Sequence, residues 1–463
     1  MIRGRLKMVL CAGLALAAGF VLRLWLVAHA GRIDGDTLIY GNIAKNWLQH
    51  GVYGYVDSAR GPLPTLIRLP GYPLFLAACF SVFGFDHYTA AMYLQCVIDV
   101  LTCLLISALA GRWFGRRAAM AALWLSALCP FTATYAATLL TETLTLTTIA
   151  LTFYGLERWR AAGLGFNRWL WTVAGAMSYS ILLRPEQGLL AAAVIPAMLW
   201  MVLRPADSAS GLRKGPLQAA LPVILAAVCV VLPLAPWGLR NWRTFHVIQP
   251  LAPRYATDPG ERIPLGFQRW YRTWAIDFAS TEDAYWNYDN AAILTSDLPT
   301  RAFDSEEQYE RTDELLSEYN RSFDAKPEFD ARFAELARER VQADPIRYYV
   351  ALPVARLLNM AFRPRTEKMA VPLEWWKWRE YPGQAALASA FGALNLVYFA
   401  LGAVGLWLWR RRGWGANAPV VWAMLAFVVL RCALLLTLDN SEPRYTLEFF
   451  PLLMLWGSYV FRA

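Results

Sequence analysis

The chain has 463 residues, of which 57% are hydrophobic and only 17% charged, against about a quarter charged in soluble domains. Those proportions exclude a disordered chain, a secreted disulfide scaffold and an ordinary soluble enzyme, and leave an integral membrane protein. The net charge of +9 sits in short basic clusters between apolar runs, a pattern that fits membrane topology signals and argues against nucleic acid as a partner.

The first apolar run, Met8 to Ala30, follows Arg3, Arg5 and Lys7. It is too long for a signal-peptide core and is interrupted by Arg23, so it reads as a retained helix. The following loop carries Asp34-Gly35-Asp36 and then apolar residues at 39, 40, 43, 44, 47 and 48. That spacing predicts an amphipathic helix on the outer membrane face with Asp36 at its N-cap. Tyr72 to Phe85 is apolar but too short to span, and reads as re-entrant or interfacial. Spans are then expected at 88–111, 117–136, 139–157, 169–183, 187–203, 216–237, 385–409, 417–437 and 445–461, about ten in all with the first. Leu352 to Phe362, broken by Pro353 and Arg356, is too short and reads as re-entrant or interfacial.

The expected fold class is an all-α polytopic membrane protein. Three parts follow: a transmembrane core over 1–237 that includes the first outer loop 31–87, a long extracytoplasmic loop over 238–384, and C-terminal transmembrane helices over 385–463. With the N-terminus in the cytoplasm, one alternating assignment puts Arg112/Arg116/Arg117, Arg158/Arg160/Arg168, Arg204/Arg213/Lys214 and Arg410/Arg411/Arg412 all inside, accompanied by few acids, Glu157 and Asp207. The opposite orientation violates every short basic loop.

Within the long loop, Leu315, Leu316, Tyr319 and Phe323, then Phe329, Phe333, Leu336 and Val341, recur at helical spacing and predict solvated amphipathic helices covering the outer face. Trp270, Tyr271, Trp274, Trp286, Tyr288, Trp375, Trp376 and Trp378 are expected to form an interfacial belt, with a sugar or prenyl platform as the alternative. Asn320-Arg321-Ser322 is a glycosylation sequon inside a helical pattern. The seven cysteines lie in apolar segments without CxxC spacing, and no HExxH, Walker A or GxGxxG sequence occurs.

Charged groups next to membrane helices are costly and are functional candidates by default. Asp34, Asp36, Arg68, Glu142, Arg184, Glu186, Arg240, Glu442 and Arg444 all fall at outer helix ends in this topology. Arginines there suit an anionic head group, because a guanidinium matches phosphate oxygens with two parallel hydrogen bonds.

The order of several short motifs resembles a known family. Asp36-x-x-x-Tyr40-x-x-x-Ala44, Gly51-Val52-Tyr53 and Arg68-Leu69-Pro70-Gly71-Tyr72-Pro73-Leu74-Phe75 look like the first loop of the C-type membrane glycosyltransferases. The similar branch includes protein O-mannosyltransferases and lipid A aminoarabinose transferases. Glu142 in Leu140–Leu144, Arg184-Pro185, Pro236-Trp237-x-x-Arg240-Asn241 and Glu442-Pro443-Arg444-Tyr445 extend the resemblance along the membrane part.

The resemblance implies inverting transfer of a sugar from a polyprenyl-phosphate carrier to an acceptor hydroxyl outside the inner membrane, the acceptor being a lipid, a glycan or a protein. It implies Asp36 as the general base, with Asp34 or Glu142 assisting; relatives often place a second acid directly after that aspartate, where this chain has Thr37. Arg68, Arg184, Arg240 and Arg444 become donor-phosphate contacts. Tyr40, Tyr72, Glu186, Asn241, Glu442 and Tyr445 are expected to touch substrate. A divalent metal ion held by Asp34, Asp36 and Glu142 is compatible with this chemistry, although no spacing demands one. A transporter or flippase of lipid-linked sugars, and a polymerase or ligase with a diphosphate-linked donor, are the alternatives.

Overall fold

The computed structural model describes residues 2–57, 59–204 and 215–462. Arg213, Lys214 and Asp207 of one basic loop lie outside them. Its contacts divide the chain into two units: Met1–Glu261 with Val397–Leu430 and Leu447–Ala463, and Arg262–Leu396 with Arg431–Thr446.

Among the described residues six helices are long and apolar enough to cross a membrane: Leu6–Ala30, Tyr88–Phe114, Pro185–Leu203, Pro216–Phe245, Pro382–Arg412 and Gly415–Leu435. The expected span over 117–136 is a pair of helices, Arg116–Ala127 and Pro130–Ala136, bent by 55°. Pro130 removes a backbone donor and breaks the ladder there. Three other expected spans are helical without meeting that criterion. Glu142–Ala161 is rich in threonine, Arg168–Leu183 has 16 residues, and Phe450–Ser458 is preceded by a 3-10 turn over Pro443–Phe449.

Threonine suits Glu142–Ala161 because the helix is interior. Thr145 and Thr147 return their hydroxyls to the carbonyls of Thr141 and Thr143, and Thr147 also meets Thr102 at 2.7 Å. Thr148 donates to Ser180 at 3.0 Å. Three neighbouring helices are thereby stitched, and these hydroxyls are satisfied.

In the first unit a buried ion pair explains Arg23. Its Nε donates to Asp99 at 2.8 Å, and its Nη1 donates to the carbonyls of Gly19 and Ala127 at 2.7 and 2.8 Å. The guanidinium joins three helices and is used by the fold. Elsewhere in this unit Arg160 pairs with Glu157 at 2.8 Å, Arg112 approaches the same carboxylate at 3.8 Å, and Arg160 donates to Asn417 at 3.0 Å. Three loops that the charge pattern assigns to one membrane face therefore meet.

The second unit has its own core. The apolar faces of helices Glu306–Tyr319 and Pro327–Ala343 pack on Phe267, Trp270, Tyr271, Trp274 and Tyr288. Those four Trp and Tyr residues are thus neither a belt nor a platform, whereas Trp286, Trp376 and Trp378 are exposed. Phe323 is exposed as well, held at φ 54 beyond the helix end. Asn320 of the sequon exchanges two hydrogen bonds with the backbone of Ile293, both at 2.9 Å, so its amide is already used in folding.

Candidate active site

The site in the first unit is built on helix Asp36–His50. Its N-cap is Gly35 at φ 46, with no capping side chain. Asp36 is therefore the first helical residue and not the cap that the spacing suggests. Its carboxylate instead accepts from Arg68 Nη2 at 2.8 Å, with both side chains about three-quarters buried. Asp34 is exposed, and its carbonyl accepts the amide of Thr37 at 3.0 Å.

Arg68 follows a two-stranded hairpin, Gly54–Asp57 paired antiparallel with Gly61–Pro64, which the sequence patterning does not announce. The hairpin base is fixed by residues far along the chain. Asp258 accepts from Thr65 Oγ1 at 2.7 Å and from the Leu66 amide at 2.8 Å. Arg240 donates to the carbonyls of Thr65 and Tyr53, each at 2.7 Å, and the Tyr53 hydroxyl donates to the carbonyl of Arg68 at 3.0 Å. Asn241 is buried and donates to the Gln249 carbonyl at 2.6 Å. Arg240 thus holds the loop that carries Arg68, and Asn241 braces Arg240 by accepting from its Nη1 at 2.9 Å.

The next residues explain the Pro70-Gly71-Tyr72 sequence. A Cβ on Gly71 would fall 2.6 to 2.8 Å from backbone atoms of Leu182 and Leu183, so only glycine admits this approach. Tyr179 seals it by donating to the Gly71 carbonyl at 3.1 Å. Arg184 comes directly after that contact. Its Nη1 donates to Glu142 at 3.1 Å and its Nε to Glu186 at 2.7 Å. Tyr72 donates to Gln95 at 2.7 Å, and Gln95 donates in turn to the Thr138 carbonyl at 2.8 Å, near the start of the Glu142 helix.

Tyr40 lies within electrostatic reach of both arginine–carboxylate sets. It packs edge-on to Tyr72 with centroids 4.9 Å apart, and the Arg68 guanidinium lies 5.7 Å from its ring centre. Burial pushes its phenol up to about 12; Arg68 and Arg184 oppose that, while Asp36 and Glu142 add to it. Burial works against the Arg68 charge, but Tyr40 and Asp36 outweigh it and hold the guanidinium above its usual value. Four sequence-nominated groups therefore share one electrostatic environment.

Glu442, Arg444 and Tyr445 belong to the second unit. Tyr445 donates to Glu442 at 2.6 Å, Asn440 donates to the same oxygen at 2.9 Å, and Arg444 pairs with the other carboxylate oxygen. Arg365, which sequence reasoning passed over, donates to the Pro443 carbonyl at 2.7 Å. Among the described residues no three His, Cys, Asp or Glu side chains come together as metal ligands.

Residues 64–237 match the family model described as dolichyl-phosphate-mannose-protein mannosyltransferase; that segment includes Arg68, Glu142 and Arg184 and begins after Asp36. No curated protein matches the chain. Among solved structures, the oligosaccharyltransferase of Archaeoglobus fulgidus, tethered to an acceptor peptide containing a sequon, aligns over 98% of this chain and 49% of its own. The identity is 13% and the TM-score 0.51, so this chain spans about half of that protein. ArnT from Cupriavidus metallidurans in the apo state aligns over 95% of this chain and 78% of its own, at 17% identity and TM-score 0.39. The same protein bound to undecaprenyl phosphate aligns over 98% and 77%, at 16% identity and TM-score 0.37. By its backbone path, and by the sequence pattern of residues 64–237, the chain has the fold of the C-type membrane glycosyltransferases.

Proposed function

We propose that the protein is an inverting glycosyltransferase that moves a sugar from a polyprenyl-phosphate carrier to an acceptor hydroxyl on the outer face of the inner membrane. The observation that carries this reading is the placement of Asp36–Arg68 and Glu142–Arg184–Glu186 around Tyr40. Transfer forms a bond from the acceptor oxygen to the anomeric carbon and breaks the bond from that carbon to the carrier phosphate. Asp36 takes the acceptor proton, and Arg68 and Arg184 stabilise the charge that develops on the leaving phosphate. A phosphate is already a competent leaving group, so one base suffices, unlike the two carboxylates of a glycosidase. Arg240 positions Arg68 in this scheme. Arg23 and Asp99, a buried pair on two spanning helices, are occupied by each other and by carbonyls, which favours chemistry over transport.

Mass spectrometry of polyprenyl phosphates extracted from wild-type and deletion cells tests the reading. Accumulation of one monophosphate-linked sugar in the deletion is expected. An unchanged carrier pool refutes the proposal, and accumulation of a diphosphate-linked glycan redirects it to a polymerase or ligase.

A further inference from the structure

The segment from 346 to 366, in the second unit, has no part in the chemistry above. It runs as a turn of π-helix, Arg347–Ala351, into helix Leu352–Phe362. Its polarity is inverted. Ile346, Val350, Val354, Leu358 and Phe362, four residues apart, are 41 to 73% exposed, whereas Arg356 is 1% exposed and donates to the carbonyls of Arg272 and Ala275. A helix in water places its residues the other way round.

The end of this helix docks at an informative depth. Asn395 donates to the carbonyls of Ala361 and Arg363 at 2.8 and 3.2 Å, and accepts from Arg365 at 3.2 Å. A Cβ on Gly392 would lie 3.3 Å from Pro364. Both partners belong to the spanning helix Pro382–Arg412, and Asn395 stands about midway along its apolar stretch from Gln384 to Arg410. Its rise is about 20 Å from Pro382 and about 22 Å to Arg410, so a hydrocarbon core about 30 Å thick placed anywhere between those two residues includes it.

Non-helical backbone at such depth is tolerated only where protein covers it. Arg363, Pro364, Arg365 and Thr366 are all buried, and Arg365 is further held by Pro443 O at 2.7 Å and by Thr446.

We infer that residues 346–366 form a re-entrant element that enters the bilayer, turns at Arg363–Thr366 beside Asn395, and presents the stripe Ile346/Val350/Val354/Leu358/Phe362 to lipid hydrocarbon. The occupant is the acyl region of the bilayer, and Arg356 faces inward because a guanidinium cannot face acyl chains. The isoprenoid tail of the carrier has the same chemistry and is the second source; only that arm rests on the proposed function.

Spin labels at Val354→Cys, Leu358→Cys and, as an outward control, Glu335→Cys test this in the full chain, with native cysteines replaced and the protein in lipid nanodiscs. Relaxation by oxygen and by a water-soluble nickel chelate reports the surroundings. At 354 and 358 oxygen is expected to dominate several-fold, with the reverse at 335. Nickel access at 354 and 358 equal to that at 335 overturns the inference. So does an immobile label shielded from both reagents, which would mean a protein partner. Added polyprenyl phosphate that slows the labels at 354 and 358 identifies the isoprenoid source; an unchanged spectrum identifies bilayer acyl chains. Ile346→Cys, at the entry of the segment, serves if either variant fails to fold.

Discussion

Replacing Asp36 by Asn separates a catalytic carboxylate from a structural one. The structural effect is small. Gly35 is the cap, so no capping bond is lost. Asn keeps an oxygen for the 2.8 Å contact from Arg68, and the pair is about one-quarter exposed, which limits its contribution to roughly 1 kcal/mol. Loss of the carboxylate charge at the first helical residue removes another ~0.3–1 kcal/mol of dipole stabilisation. At about 2–4 °C per kcal/mol the melting temperature shifts by a few degrees. Loss of a general base instead lowers kcat by about 10²–10⁴, equivalent to about 3–5 kcal/mol of barrier. The assay is release of polyprenyl phosphate from its glycoside by protein in nanodiscs, with circular dichroism melts on the same samples. A kcat within tenfold of wild type refutes the assignment of Asp36 as the base.

Three further outcomes are expected. Asp99→Asn leaves Arg23 buried without its counter-charge and should cost about 3–5 kcal/mol, read as a lower melting temperature and poor recovery in detergent; a melt unchanged from wild type contradicts the assigned role. Gly71→Ala forces a Cβ into the backbone of Leu182 and Leu183 and should cost about 1–3 kcal/mol while raising KM, because Arg68 and Arg184 flank that contact; unaltered kinetics count against it. Asp304 is pushed up by burial, but Arg347 and Arg340 outweigh this and hold it below its usual value. Its stabilisation is therefore present above the usual carboxylate value and lost as pH falls below it towards the folded value. Asp304→Asn should flatten the melting-temperature profile between about pH 5 and 3, and parallel profiles for the two proteins would deny the linkage.

Much of the candidate site is legible in the sequence because a charge beside an apolar run has few cheap reasons to be there. Asp36, Arg68, Glu142, Arg184 and Glu186 stand out on that ground. Their pairing is not legible, since Arg68 and Arg240 look alike as isolated outer arginines. Only the hairpin shows that one meets Asp36 while the other holds carbonyls. Asp99 carries its signal inside an apolar run: a lone acid in one span and the lone Arg23 in another suggest the pair that the structure shows. Asp258 gives no local signal, because its partners are distant in sequence. The aromatic residues of the second unit misled for a related reason: composition reveals their surface energy, while burial depends on which helices close over them.

The Asp258 clamp has a consequence for biosynthesis. Thr65 and Asp258 are 193 residues apart, so the loop bearing Arg68 acquires its final tether only after the spanning helices encoded between them have been made. Contacts of such sequence separation form late, after the intervening chain has been ordered. The carboxylate and guanidinium of the first loop are thus among the earliest residues synthesised, yet their loop is tethered only after Asp258 has been made. A nascent chain truncated before residue 258 should insert its helices yet lack the tether of this loop, so that maturation of the loop awaits synthesis through Asp258.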